Sequence, residues 1–221
     1  MTFQRARSEE QREIRRRAIL DTAAAMLDEM PVADLALNEL SRRVGLAKSN
    51  VLRYFESREA VLLDLLDDFL RTWLTELAGE LADGVDPRHS VAERADELAD
   101  VLSRSLAART VLCDLFGAQG GVLEHNVSAE VVMRHKRASL GSLVDMVELV
   151  RHHLPELGDS TQTVCLLALL MAGALSAYCP PPASVLAVYA ADPALAMLNV
   201  DLRESLKLAV STAIMGALPR P

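Results

Sequence analysis

Lys48, Ser49, Asn50, Arg53 and Tyr54 stand within seven residues, directly behind a Gly45-Leu46 corner, and Arg58 follows shortly after. These side chains suit a nucleic acid. A lysine donates to guanine O6 and N7, and an asparagine amide pairs both ways with adenine N6 and N7. Arg53 and Tyr54, one turn later, suit backbone phosphates. So does Arg58 at the start of a following helix, where free backbone N–H groups also favour an anion. Between Leu40 and Arg58 five basic residues meet one acidic residue, although the chain as a whole has a formal net charge of -8. Distribution matters more than the sum. Residues 1–60 hold eleven basic and ten acidic groups, whereas residues 61–221 hold twelve and twenty-one.

The elements that must position these groups are short helices. Leu40 and Val44 form an i, i+4 apolar pair, Val51 and Phe55 form another, and Leu46 lies at the corner between them. The pattern predicts two helices, about Leu37–Val44 and Ala47–Tyr54. Ser41 supplies a small residue where the two must cross. Gly45 takes the left-handed conformation that a tight turn between near-perpendicular helices requires. Apolar positions four, eight, ten and fifteen from Leu37, with a small fifth and a glycine ninth, make a complete helix-turn-helix pattern over residues 36–55. Ahead of it, Ile19, Ala23 and Leu27 predict a helix over about Ser8–Met30, closed by Pro31. Its start carries Arg5, Arg7, Arg12, Arg15, Arg16 and Arg17 mixed with glutamates. Two readings of that run stand side by side: a solvated helix end, or a basic arm that touches phosphates.

With the motif complete, "LNELSRRVGLAKSNVLRYFESREAVLLDLL", preceded by "AILDTAAAML", resembles the N-terminal part of the TetR family of bacterial transcriptional repressors. The likeness covers about residues 12–70; the remainder matches only as an all-helical body of suitable length. The resemblance implies an all-α fold, with a three-helix DNA-binding domain fused to a larger helical domain that dimerises and often binds a small ligand. It places Lys48, Asn50, Tyr54 and Arg58 at positions that contact DNA. Two departures bear on this. The family often has Thr at the position of Ala36 and Tyr at that of Leu52, both commonly phosphate contacts, and neither residue here carries a hydroxyl. Ala47 also stands where the family usually has a Ser or Thr cap, leaving that helix to be capped by Ser49 or water.

Domains are expected over residues 1–60 (DNA binding) and 61–221 (regulation and dimerisation). In the body, Ser57 reads as an N-cap for a long helix to about Leu81, and Ser90 to Glu93 reads as a capping box for a helix to about Ala108. Further helices are predicted over Thr110–Phe116, Ser128–His153, a segment capped by Asp159–Gln162 and running to about Tyr178, Ser184–Ala190, and a last one capped by Asp201–Glu204. No strand pattern and no repeat is found. For a palindromic operator two copies are needed. The small-residue helix Thr161–Tyr178 and the helix Leu202–Leu218 are the expected dimer elements, through Leu166, Leu170, Gly173, Ala177, Leu202, Leu206, Ala209 and Ala213. A pocket for a small-molecule effector is expected among the long helices, lined by Phe69, Trp73, Arg104, Phe116, Met133 and Met146. The competing reading of these side chains is ordinary core and surface.

Other classes are less well served. With 51% apolar and 24% charged residues the chain can bury a core. "TVCLLALLMAGALSAYCPPP" offers about sixteen suitable residues before its three prolines, short of the roughly twenty that cross a bilayer, and is read as a buried helix. The N-terminus is charged where a secretory signal needs an apolar stretch. Cys113, Cys165 and Cys179 lack CxxC spacing and are read as buried thiols in a reducing cytoplasm. For an enzyme, no metal pair, triad or phosphate loop is found. His152 and His153 are adjacent and point about 100° apart on a helix, "GAQGG" lacks the flanking strand and Lys-Ser/Thr, and His125 and His135 are read as surface. No cofactor is expected. An α-helical protein-interaction module that does not bind an operator is the alternative.

Overall fold

The computed structural model describes residues 2–219, with side chains described from residue 9. The backbone is helical: α1 Thr2–Leu27, α2 Leu37–Val44, α3 Lys48–Val51, α4 Arg58–Gly84, α5 Val91–Ala107, α6 Thr110–Gln119, α7 Ala129–His153, α8 Thr161–Ser176, α9 Ala183–Ala191 and α10 Leu202–Ala217. No strand occurs among the described residues. α1 packs on α2, α4 lies along α7, α6 crosses α8, and α10 fills the angle between α5 and α8. One apolar core runs from Ile19 and Leu40 near the N-terminus to Val210 and Ile214 at the end.

Several helix starts follow the expected caps. Ser57 accepts from the Ala60 N–H, Ser90 and Glu93 close a full capping box, and Asp201 accepts from the Glu204 N–H. Satisfying these otherwise unpaired donors fixes where each helix begins. Other boundaries differ, each for a local reason. α1 begins earlier than Ser8 and ends at Leu27, because Met30 precedes Pro31 and the pre-proline residue is pushed out of the helical region. α3 is shorter than Ala47–Tyr54: after Val51 the chain tightens, with Tyr54 N–H bonding Val51 O at 2.9 Å, which turns Phe55 into the core. α8 lacks a side-chain cap. Ser160 occupies the cap position, and the Thr161 hydroxyl instead donates to the carbonyl of Gly158 at 2.7 Å.

α6 does not stop at Gly117 but runs on to Gln119. The glycine serves contact rather than termination. A Cβ on Gly117 would lie 2.8 Å from the Gly173 carbonyl oxygen, and one on Gly173 would lie 2.7 Å from the Gly117 nitrogen. The backbones of α6 and α8 therefore touch. This corrects the placement of Gly173 at a subunit interface: it faces α6 within the chain. Pro155–Ser176 is long and apolar enough to cross a membrane by composition, yet it packs against α6, α7 and α10, with 44% of its apolar 18-residue window buried in the fold.

Cys113 and Cys165 are buried, and burial pushes both thiols up to about 12. Cys179 is only partly buried, against the expectation, with its Sγ donating to Val200 O at 3.2 Å. Thiol labelling at neutral pH should therefore modify Cys179 first, with Cys113 and Cys165 reacting only on unfolding; equal rates at all three would be inconsistent with this core. Gly173→Ala should lower unfolding free energy by about 1–3 kcal/mol through overpacking of the α6–α8 crossing. The measurement is a urea midpoint at unchanged slope, and a shift worth under about 0.5 kcal/mol would refute the close contact.

Candidate nucleic-acid interface

The motif folds as two helices around a left-handed glycine. Gly45 has φ 72 and ψ 29, its N–H bonds Arg42 O, and the next N–H, on Leu46, reaches back to Ser41 O at 3.0 Å. These bonds close α2 and set the corner. Ser41 is buried at the crossing, and its hydroxyl donates to Asn38 O at 2.8 Å. Leu40, Val51 and Phe55 are buried, which pins the inner side of α3. With that side fixed, Lys48, Ser49, Asn50 and Arg53 are left exposed and Tyr54 half-buried. Leu52 is 42% exposed among them, an apolar side chain on an otherwise polar rim. Ala47 gives α3 no side-chain cap.

The cations of the motif are not equally free. Arg42 and Arg43 both bind the Glu39 carboxylate, and these hydrogen bonds, Arg42 first, hold that carboxyl at about 2. Arg43 also reaches Glu29 at 2.7 Å. Arg58, expected on phosphate, is turned inward: its Nη1 donates to the carbonyls of Ala33 at 2.9 Å and Leu35 at 3.2 Å. Its Nε lies 3.2 Å from Glu59 but is buried without a well-formed hydrogen bond. Arg58 thus ties the loop before α2 to the start of α4, a correction to its sequence-based role. Lys48 and Arg53 are the motif cations with no carboxylate within reach among the described residues.

What holds the motif to the body escapes sequence reading. Asp64 on α4, nearly buried, accepts from Arg16 of α1 and from Arg134 of α7, the latter at 3.2 Å. The Arg16 guanidinium also sits 4.9 Å from the centroid of the Phe55 ring, a cation–π contact. Burial lowers the Arg16 pKa, and the charge of Arg134 lowers it further. One turn along α4, His135 of α7 donates from Nδ1 to Asp67 at 2.7 Å while Nε2 accepts from the Gln119 amide at 3.0 Å. His135 is 2% exposed, so the surface reading of this residue is wrong. The available signal was "VLLDLLDDFL", three carboxylates inside an apolar run, since buried charge needs partners.

The expected effector residues do not converge. Phe69 and Trp73 line an open cleft of about 320 Å³ with Glu76 and Arg109. Trp73 is itself buried and donates to Ser105 Oγ at 2.9 Å, which Arg109 also reaches. Arg104 lines a separate groove with Glu80 and Asp83. Phe116 lies on α6 with its backbone and Cβ against Gly173 of α8, Met133 is exposed, and Met146 is fully buried core. These three leave the pocket set. Of the dimer residues, Leu166, Leu170 and Ala177 face outward from α8. Leu202, Ala209 and Ala213 are half-buried, and Leu206 is fully buried in the chain's own core. Gly173 and Leu206 are thus internal contacts. Leu208 and Met215, not anticipated, are the large apolar residues that α10 exposes.

Two family models cover nearly this whole architecture. Residues 19–65 match bacterial regulatory proteins of the tetR family, and residues 67–221 match the tetracyclin repressor-like C-terminal domain. The chain belongs to the TetR family. The HTH-type transcriptional regulator EthR of Mycobacterium tuberculosis is 44% identical over 50 residues, 23% of this chain and 23% of that protein. Its namesake in Mycolicibacterium smegmatis is 35% identical over 57 residues, 26% of each chain. The likeness to these curated relatives thus spans about a quarter of their length. Among solved structures, a TetR-family repressor FadR from Thermus thermophilus, in complex with lauroyl-CoA, superposes with a TM-score of 0.56 at 18% identity, covering 93% of this chain and 96% of that one. A TetR/AcrR-family regulator from Thermobifida fusca gives 0.50 at 16%, covering 93% and 99%. At these identities the structures establish the shared fold. The helix-turn-helix is joined to the helical body through one long helix, α4.

Removing the Asp64 carboxylate would leave Arg16 and Arg134 close together without their shared counter-ion. Asp64→Ala should cost about 1–3 kcal/mol, and amide exchange in α1 should accelerate more than exchange in α8. Equal acceleration in both would show that Asp64 does not specifically hold the motif.

Proposed function

We propose that this chain is a homodimeric transcriptional repressor that reads a palindromic operator and releases it on binding a small-molecule effector, acting in the cytoplasm. The observation that carries the reading is the open face of α3. Lys48, Ser49 and Asn50 are exposed together while Val51 and Phe55 are locked behind them, and Lys48 has no carboxylate partner among the described residues. A short helix held this way can enter the major groove with polar side chains at base edges. Lys48 and Asn50 then read bases, Ser49 supports them, and Arg53 with Tyr54 positions the backbone. Ala36 and Leu52 offer no hydroxyl for phosphate.

The outward face of α8, where Leu166, Leu167 and Leu170 are exposed, and the exposed Leu208 and Met215 of α10 support dimerisation through these helices. Exposed apolar surface of this extent on adjacent helices marks an interface. Residues 1–60 form the DNA-binding unit and 61–221 the regulatory one, with α4 common to both. That continuity supplies the mechanism. α4 begins at the motif with Arg58 and passes Phe69, Trp73 and Glu76 on the wall of the open cleft. An effector that prefers one tilt of α4 shifts the spacing of the paired recognition helices and weakens operator binding by that preference.

Selection of genomic fragments on the purified protein should enrich a palindrome, and the absence of one would end this reading. On the enriched operator, Asn50→Ala should lose about 1–3 kcal/mol of discrimination at its base. A uniform loss across all sequences would make Asn50 a backbone contact.

A further inference from the structure

The arginine run of α1 is divided by the fold. Arg16 and Arg17 are engaged by α4, Arg16 by Asp64 and Arg17 by Asp68 at 2.8 Å. Arg12 and Arg15 have no carboxylate within ion-pair distance among the described residues. Arg5 and Arg7 lie outside the described side chains. Spaced three apart, Arg12 and Arg15 share one face of the helix. With Gln11 they form one wall of a groove of about 410 Å³, and Arg53 with Tyr54 from the turn after α3 forms the other. Glu9, Glu10 and Glu13 are on the same helix but do not line this groove. Three guanidinium groups and a phenol line it, and no carboxylate does so among the described residues.

The groove is also held in place. Arg16, next in sequence to Arg15, is fixed by Asp64 and by the Phe55 ring, one residue beyond Tyr54. The two walls are therefore joined at their base, and the exposed arginines project from a pinned helical turn. Unpaired guanidinium groups with planar donor forks match phosphodiester oxygens in geometry as well as charge. The proposed base-reading turn Lys48–Asn50 precedes these two residues, within α3, and does not line the groove.

We propose that this groove is a second DNA site, in which Arg12 and Arg15 join Arg53 and Tyr54 in gripping backbone phosphates. It rests on the reading of the chain as a DNA-binding regulator and adds α1 to the surface that meets the duplex. Such contacts set register and affinity but carry no base information. The expected signature is thus distinct from that of Lys48 or Asn50.

The test uses the full chain with Arg12→Gln/Arg15→Gln, titrated over a salt series onto the selected operator duplex and onto a scrambled duplex of equal length. Both affinities should fall by the same factor. The slope of log affinity against log salt should become shallower by about 1.8 for each half-site occupied, two contacts at 0.9 each. Arg12→Lys/Arg15→Lys should keep most of the slope. Ethylation of particular phosphates should impede the natural protein and no longer impede the glutamine variant. An unchanged slope in a variant with native circular dichroism and melting would overturn the proposal, as would a loss confined to the operator. If the natural protein shows no preference for the operator, the base-reading assignment fails instead. The groove is then still judged from the slope on scrambled DNA.

Discussion

The carboxylate of Asp64 is the point through which the molecule is joined. It lies almost out of solvent on α4 and accepts from α1 on one oxygen and from α7 on the other. A lone buried carboxylate would be costly, so the two guanidinium groups are required by it as much as they are held by it. Arg16, once placed there, also covers the face of Phe55. The same residue thereby locates α1, α4 and the end of α3 relative to one another. Asp67 with His135 repeats the device one turn further along α4, and Asp68 with Arg17 repeats it at the rim.

This arrangement explains how an acidic chain can present a locally basic edge. Most arginines near the motif are consumed internally: Arg42 and Arg43 by Glu39, Arg58 by loop carbonyls, Arg16 and Arg17 by α4. Internal pairing gives these side chains structural roles and removes much of their field from the surface. Among the described residues, the cations near α3 without a carboxylate partner are Lys48, Arg53, Arg12 and Arg15, and the last three line one groove. Residues 61–221 carry twenty-one carboxylates against twelve basic groups. The field around α3 follows from which charges are left unpaired rather than from net charge.

The body shows the opposite economy, with apolar groups left uncovered. Leu166 and Leu170 project from α8, Leu208 and Met215 from α10, while Gly173 and Leu206 between them turn inward. A helix of small and apolar residues has two usable faces, and the chain's own packing takes one. The glycine pair at positions 117 and 173 decides which, because only that face allows backbone contact with α6.

The sequence alone determined the helices, most of their caps and the helix-turn-helix, because these depend on contacts three or four residues apart and on one left-handed glycine. Ser57, Ser90, Asp201 and Gly45 each act on a neighbouring turn, and local patterns record such effects directly. It also determined which side chains of α3 face outward, once Val51 and Phe55 were recognised as inner. Only the tertiary structure decided which charges are free. Arg15 and Arg16 are adjacent and alike in sequence, yet one faces a groove and the other meets a carboxylate 48 positions away. Arg58 and His135 were misread for the same reason, since their partners come from Ala33, Leu35 and Asp67. Pairing of a buried charge is set by the element that packs against it, and no local pattern of residues contains that information.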